Sequence, residues 1–241
     1  DAVEDGATVQ ILYEGRTAET AINDPAGFET KFEDLFRDRT EAELIAIKLK
    51  YGTTGDIFEA PKRIEAIAKD LVRHYAENIL PNGFKAQVVS SSKMAAVLYR
   101  KYIDQALKEY IAAEKSKPNA DPAWIMKLEF LKTAVVVSAD ETNEKAEITA
   151  ARKEGKQMNA VENFKRKFEY DDPERANTGI ALLCVCDMLL TGFDAPIEQV
   201  MYLDKKLTEH SLLQAIARVN RVSKGKSRGY IVDYIGLARH L

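Results

Sequence analysis

Cysteine and histidine are scarce in this chain, and their scarcity excludes several kinds of site. The 241 residues contain two Cys and three His. The histidines are scattered, without the spacing of a metal site or of a Ser or Cys nucleophile with its base. Cys184 and Cys186, two residues apart in an apolar run, are too close for ordinary disulfide geometry. We expect both to be buried strand residues in a reducing cytoplasm.

Long apolar runs are also missing, so no membrane partner is expected. No stretch approaches the roughly 20 apolar residues of a membrane span. The start, "DAVEDG", has neither a Met nor a signal-peptide pattern, so we expect a fragment of a longer chain. A hydrophobic content of 46% with 30% charged residues is typical of a globular protein.

No strong positive charge is present overall, but the charge is unevenly distributed. The net charge is −3, whereas residues 204–241 hold eight Lys/Arg and three Asp/Glu, a difference of +5. The remainder therefore carries −8. A basic end on an acidic body favours a local anion site over general adhesion to DNA, although an ordinary solvated surface would give the same totals.

The hydrophobic pattern predicts an α/β fold. Apolar runs predict strands at 8–13, 85–91, 133–139, 180–186, 199–204 and 229–235. Helical patterns lie between most of them, which indicates a parallel sheet with helices on both faces. We expect residues 1–80 to be a linker and helical extension, including a charged helical stretch at 27–52, and residues 81–241 to be the α/β lobe.

The stretch "QAIARVNR" (214–221) places three polar side chains on one stripe of a helix predicted at 211–222. Gln214, Arg218 and Arg221 are spaced i, i+4, i+7, and arginine suits bidentate contact with phosphate. Two simpler interpretations remain. The arginines could pair with acidic neighbours, and Ser211 with Gln214 fits a capping box at the start of the helix.

The stretch "LLTGFDAP" (189–196) follows a predicted buried strand. Gly192 permits unusual backbone angles, and Pro196 ends the segment. Thr191 and Asp194 are then the polar groups, able to contact a phosphate and a sugar hydroxyl. Equally, Asp194 could bond to local backbone amides in an ordinary turn.

A third polar stretch, Ser90 to Lys93, follows the strand at 85–91 and opens a helix. Ser91 and Lys93 could bind phosphate oxygens there, or the serines could simply cap the helix. A phosphate loop is absent. "GKS" at 225–227 lacks the earlier glycine, since position 220 is Asn, and it precedes a strand. The chain therefore looks like half of a nucleotide site, without metal ligands of its own.

Taken together, "LLTGFDAP", "YLDKKLTEHSLLQAIARVNRV" and "GYIVDYIG" resemble the motor region of the R subunit of type I restriction endonucleases. That family is similar to superfamily 2 helicases, whose two RecA-like lobes close on ATP and move along duplex DNA. The first lobe carries the phosphate loop and magnesium motif. Because both are missing, this chain resembles the second RecA-like lobe with its preceding linker.

The resemblance implies roles for individual residues. Arg218 and Arg221 would be arginine fingers, and Gln214 would sense the γ-phosphate. Gly192 and Asp194 would lie near the nucleotide. The residues implied in contact with the DNA backbone are Ser91, Lys93 and Thr191.

The resemblance also implies cofactors and partners. ATP would bind with Mg²⁺ held by the first lobe. Partners would be double-stranded DNA, the first motor lobe and nuclease domain of the same subunit, and the modification and specificity subunits. The fragment alone would be almost inactive. The alternatives are a non-catalytic subunit-docking module and the second lobe of another superfamily 2 helicase.

Overall fold

The computed structural model describes residues 8–16, 58–140, 143–190 and 192–235. Within them, six strands form one sheet in the order β1-β6-β5-β2-β4-β3, and every neighbouring pair is parallel. The strands are β1 (Gln10–Gly15), β2 (Lys85–Ser90), β3 (Lys132–Val136), β4 (Ile180–Val185), β5 (Glu198–Asp204) and β6 (Arg228–Asp233). Each overlaps a predicted strand, and the predicted parallel α/β fold is confirmed.

Helices lie between most of the consecutive strands. They are α1 (Pro61–His74), α2 (Lys93–Lys115), α3 (Pro122–Phe130), α4 (Ala146–Gln157), α5 (Ala160–Phe164) and α6 (Glu209–Val219). A π-helical turn (Tyr75–Ile79) and a short 3-10 turn (Leu80–Asn82) extend α1. None of the helices in the described ranges is long and apolar enough to cross a membrane. The helical stretch predicted at 27–52 lies outside those ranges.

The core covers both faces of the sheet. Every residue of β2, β4 and β5 is buried, and successive strand residues point to opposite faces. Cys184 and Cys186 are buried and unbridged, as expected. The apolar stripe of α1 joins the same core, and β1 pairs with β6. In the described residues the core thus continues across the boundary predicted at 80/81, and the division into linker and lobe stays a prediction.

Part of the carboxyl edge of the sheet is closed by internal ion pairs. The buried carboxylate of Asp204, at the end of β5, accepts two hydrogen bonds from Arg63 of α1 and one of 2.6 Å from the Tyr99 hydroxyl. Nearby, Asp70 of α1 accepts from Arg16 at 2.9 Å and from the Tyr234 hydroxyl at 2.7 Å. These contacts tie α1 and the residue after β1 to the ends of β5 and β6.

Removing Arg63 tests this closure. Arg63→Met leaves the buried Asp204 carboxylate without its cation, so we expect the free energy of unfolding to fall by about 3–5 kcal/mol. Lys69→Met, on the same helix, removes only exposed pairs with Glu65 and Glu109 and should cost less than about 1 kcal/mol. Chemical denaturation measures both variants, and equal losses would contradict a structural role for the Arg63–Asp204 pair.

Candidate functional site

The connection from β4 to β5 carries the stretch "LLTGFDAP". We call residues 186–197 the crossing loop, because β2 lies between β4 and β5 and the loop must pass it. Gly192 has a φ of +68°, which glycine adopts without steric cost. Leu189 has a φ of +67°, which a bulky side chain rarely adopts. The loop therefore holds strained backbone, while Thr191 lies outside the described residues.

Helix α6 begins earlier than the sequence predicts. Thr208 is its N-cap, and the Thr208 hydroxyl accepts a 3.3 Å hydrogen bond from the Ser211 amide. The predicted capping box of Ser211 with Gln214 is therefore wrong, because a hydroxyl three residues upstream already caps the helix. The Gln214 side-chain nitrogen instead contacts Nε2 of His210 at 2.9 Å, one turn back.

The carboxyl end of α6 packs very closely against β6. A Cβ added to Gly229 of β6 would lie 2.4 Å from the carbonyl oxygen of Val219, the last residue of α6. Only glycine permits this approach without displacing the helix. The close packing fixes the position of Arg218, which directly precedes Val219.

Arg218 joins α6 to the crossing loop. Its Nε donates to the Leu190 carbonyl at 3.4 Å, and a terminal guanidinium nitrogen donates to the Phe193 carbonyl. The side chain is half-buried. The two stretches singled out from sequence are therefore in direct contact. Among the described residues, the partners of Arg218 are backbone oxygens and not the acidic neighbour that the simpler interpretation anticipated.

Arg221 and Asp194 form an exposed pair beside this contact. A guanidinium nitrogen lies 3.2 Å from the carboxylate, and the side chains are 47% and 60% exposed. Among the described residues, Asp194 contacts no local backbone amide. An exposed pair of this kind contributes only about 0–1 kcal/mol, so each group can exchange its partner for a ligand at little cost. In the part of the chain that the structure describes, neither arginine is buried in an internal salt bridge, the arrangement that would have favoured a docking module.

Lys226, which is not among the site residues predicted from the sequence, anchors the end of the crossing loop. Its buried Nζ donates to the carbonyls of Pro196 at 3.3 Å and Glu198 at 2.6 Å. Burial lowers the pKa of Lys226 to about 8. The lysine belongs to the "GKS" stretch, which as a phosphate-loop match fails. The one feature of the sequence that points to Lys226 is its position shortly before an apolar strand. The spacing does not indicate which carbonyls the side chain reaches.

The side chain of Glu198 is buried beside this anchor. Its Oε2 accepts from the side-chain amide of Gln87 at 2.9 Å, while Oε1 has no partner among the described residues. Burial raises the pKa of Glu198 to about 8. The amino ends of β2 and β5 therefore hold a titratable group inside the core.

Two of the three predicted DNA-backbone residues, Ser91 and Lys93, lie at the carboxyl end of β2, whereas Thr191 lies outside the described residues. Ser92 caps α2 by accepting from the Ala95 amide at 2.9 Å, so the capping interpretation applies to Ser92. The Ser91 hydroxyl is enclosed without a hydrogen-bond partner in the described part of the chain. Lys93 pairs with Asp140. The structure thus brings Gly192, Asp194, Arg218 and Arg221 together, whereas no hydrogen bond or ion pair among the described residues joins Ser91 or Lys93 to them.

The described residues contain no group of three or more His, Cys, Asp or Glu side chains able to hold a metal ion. The charged groups of the candidate site are guanidiniums and one carboxylate. Guanidiniums suit phosphate oxygens, and Asp194 suits a hydroxyl donor. This donor set fits one side of a nucleotide.

Comparison with known proteins agrees with the motifs. The family model described as "Type I restriction enzyme subunit R domain 3" matches residues 84–236. The chain belongs to this family. The type I restriction enzyme HindI endonuclease subunit of Haemophilus influenzae is 34% identical over 246 residues, covering 100% of this chain and 20% of that protein. The MjaVIIP endonuclease subunit of Methanocaldococcus jannaschii is 38% identical over 182 residues, covering 75% of this chain and 16% of that protein.

Among solved structures, a fragment described as an HsdR subunit of a type I restriction enzyme from Vibrio vulnificus has a TM-score of 0.55 at 16% identity. It covers 99% of this chain and 34% of that chain, and it supports the fold alone. This member of the R-subunit family spans a fifth or less of the length of these two curated relatives.

The two arginines should differ in their effect on stability. Arg218→Ala removes charged hydrogen bonds to two carbonyls and should lower the free energy of unfolding by about 1.5–3 kcal/mol. Arg221→Ala removes an exposed pair and should cost at most about 1 kcal/mol, a loss that vanishes at 1 M salt. Chemical denaturation at low and high salt measures both. A larger loss for Arg221→Ala would mean that Arg218 does not hold the loop.

Glu198 should make stability depend on pH. Because its folded pKa of about 8 exceeds the ordinary value of 4.5 for a glutamate side chain, the folded state keeps a proton that the unfolded chain releases. Stability should therefore fall as pH rises from about 5 to about 8. Glu198→Gln should flatten this decline and stabilise the protein at pH 8 by about 1–3 kcal/mol. Lys226 contributes to the pH dependence of stability only above pH 8.

Denaturation curves across this pH range give the result. Glu162→Gln, a change at an exposed carboxylate, should leave the decline as in the parent chain. An unchanged slope in Glu198→Gln would show that Glu198 is ionised in the folded state.

Proposed function

We propose that this chain is the second motor lobe of an ATP-dependent DNA translocase in the R subunit of a type I restriction enzyme. The observation that supports this most directly is the contact between the crossing loop and the end of α6. It puts Arg221 and Asp194 side by side and exposed, with Arg218 fixed behind them. A nucleotide site that forms between two lobes requires exposed charged side chains of this kind on the surface of each lobe.

In this proposal Arg221 leaves Asp194 to meet phosphate oxygens, and Asp194 becomes free to accept from a ribose hydroxyl. Arg218 contributes a second positive charge while holding the loop through Leu190 and Phe193. Gln214 faces the γ-phosphate. Bound ATP supplies the phosphoryl group, and the residues of this chain stabilise the negative charge that develops as it is transferred.

DNA contact in this proposal uses Ser91 and Lys93 at the end of β2, together with Thr191. Lys93 must first release Asp140 to reach a backbone phosphate, and the Ser91 hydroxyl, which is enclosed and has no hydrogen-bond partner among the described residues, must first become accessible. The other partners are the first motor lobe and nuclease domain of the same subunit, and the modification and specificity subunits. Without a phosphate loop, the chain alone should have almost no ATPase activity.

The test replaces Arg221 in the full-length R subunit, because Arg218 also holds the loop. Arg221→Ala should lower the kcat of DNA-stimulated ATP hydrolysis by about 10³-fold or more, since an arginine finger acts mainly in the transition state. The thermal midpoint should change little. Arg228→Ala removes an exposed guanidinium at the start of β6 and is the matched control. Normal translocation by the Arg221 variant would rule out the arginine-finger role.

A further inference from the structure

Paired and unpaired lysines lie at opposite ends of the sheet. At the carboxyl end, Lys93 pairs with Asp140 and Lys205 with Asp187. At the amino ends of β2 and β5 lies a cavity of about 500 Å³. We call it the amino-end cavity. Its polar wall includes four lysines, Lys127, Lys165, Lys167 and Lys224, and none of the described residues lining it is Asp or Glu.

Most of these lysines have no counter-charge. Lys165 lies 2.9 Å from Glu162, which is exposed and three residues away. In the part of the chain that the structure describes, Lys127, Lys167 and Lys224 have no carboxylate within 4.0 Å. Ammonium groups that share a cavity repel each other, and an anion that enters removes this repulsion. The amino-end cavity is therefore suited to an anionic ligand.

Aromatic rings and a buried lysine make one wall of the cavity rigid. Phe168 and Tyr170 are stacked with ring centres 5.5 Å apart, and Nζ of Lys127 lies 5.9 Å from the Tyr170 ring centre. Behind them, Nζ of Lys85 lies 4.7 Å from the Phe168 ring centre and donates to the Thr178 carbonyl at 2.7 Å. Lys85 is fully buried and has no carboxylate partner among the described residues. Because burial lowers the pKa of Lys85 to about 7, it supports the wall through its hydrogen bonds and adds only part of a positive charge.

We propose that the amino-end cavity binds the backbone phosphates of a nucleic-acid strand. Lysines are point charges on flexible stems, so they suit phosphates without selecting bases. The cavity shares Pro196 and Ile197 with the crossing loop but includes neither Asp194 nor the two arginines of the candidate nucleotide site. This proposal rests on the proposed function only for the choice of DNA as the partner. It does not depend on Arg218 or Arg221 acting as arginine fingers.

The test measures DNA binding by the full-length R subunit without nucleotide. A fluorescent duplex and a fluorescent single strand are titrated at several salt concentrations. The double variant Lys167→Glu with Lys224→Glu should bind about 10–100-fold more weakly near 0.1 M salt. The slope of log K against log salt should become shallower by about 1.5–2, because two phosphate contacts are lost.

The control reverses the same number of charges elsewhere. Lys153→Glu with Lys156→Glu changes two exposed lysines of α4 that do not line the cavity, and it should alter affinity about twofold at most. Arg221→Ala should keep the DNA affinity of the parent subunit, which separates this proposal from the proposed function. Thermal midpoints of all variants establish that they are folded.

Inorganic triphosphate distinguishes a nucleic-acid strand from a small phosphate ligand. It should compete with DNA only at concentrations far above that of the DNA phosphates. Parent-like affinity and slope in the cavity double variant would overturn the proposal. So would triphosphate binding that is lost in that variant while DNA affinity is unchanged.

Discussion

The two hydrogen bonds from Arg218 to the backbone of the crossing loop determine the shape of the candidate site. They connect segments separated by a whole strand and its turn, and they act directly after the strained Leu189, at the carbonyls of Leu190 and Phe193. At the far end of the loop, Lys226 holds the Pro196 carbonyl. A loop fixed at both ends presents Asp194 at a defined position. The close packing of α6 on Gly229 fixes the arginine in turn.

The degree of burial distinguishes ion pairs that stabilise the fold from ion pairs whose members are free to bind a ligand. The Arg63–Asp204 pair is largely shielded from water, and losing one partner leaves an uncompensated charge. The Arg221–Asp194 pair is screened by water and is easily exchanged. The same residue types thus serve as fixed contacts near the sheet and as replaceable ones at the surface. A site that must open for a nucleotide requires the second kind.

The fold was predictable because its strongest signals are local. Continuous apolar runs predict buried parallel strands, and the stripe on α1 predicts its packing. Contacts across long sequence separations were not predictable. Nothing near Lys226 indicates that it reaches Pro196, and Ser211 resembles a cap only until Thr208 is seen to start the helix. Spacing likewise put Arg218 and Arg221 on one stripe, yet it could not reveal that one faces backbone carbonyls and the other an exposed carboxylate.

The basic excess of residues 204–241 has a different meaning once the contacts of its side chains are known. Arg218 and Lys226 are turned towards backbone carbonyls, while Lys205 and Arg221 face carboxylates. Much of the local charge is therefore used within the fold. Lys224 lines the amino-end cavity instead, together with lysines from the region around α3 and α5 that contribute nothing to that total. The lysines that line the cavity come from distant segments of the chain and meet only in the folded protein. The net charge of one stretch of sequence therefore does not show where unpaired positive charge lies.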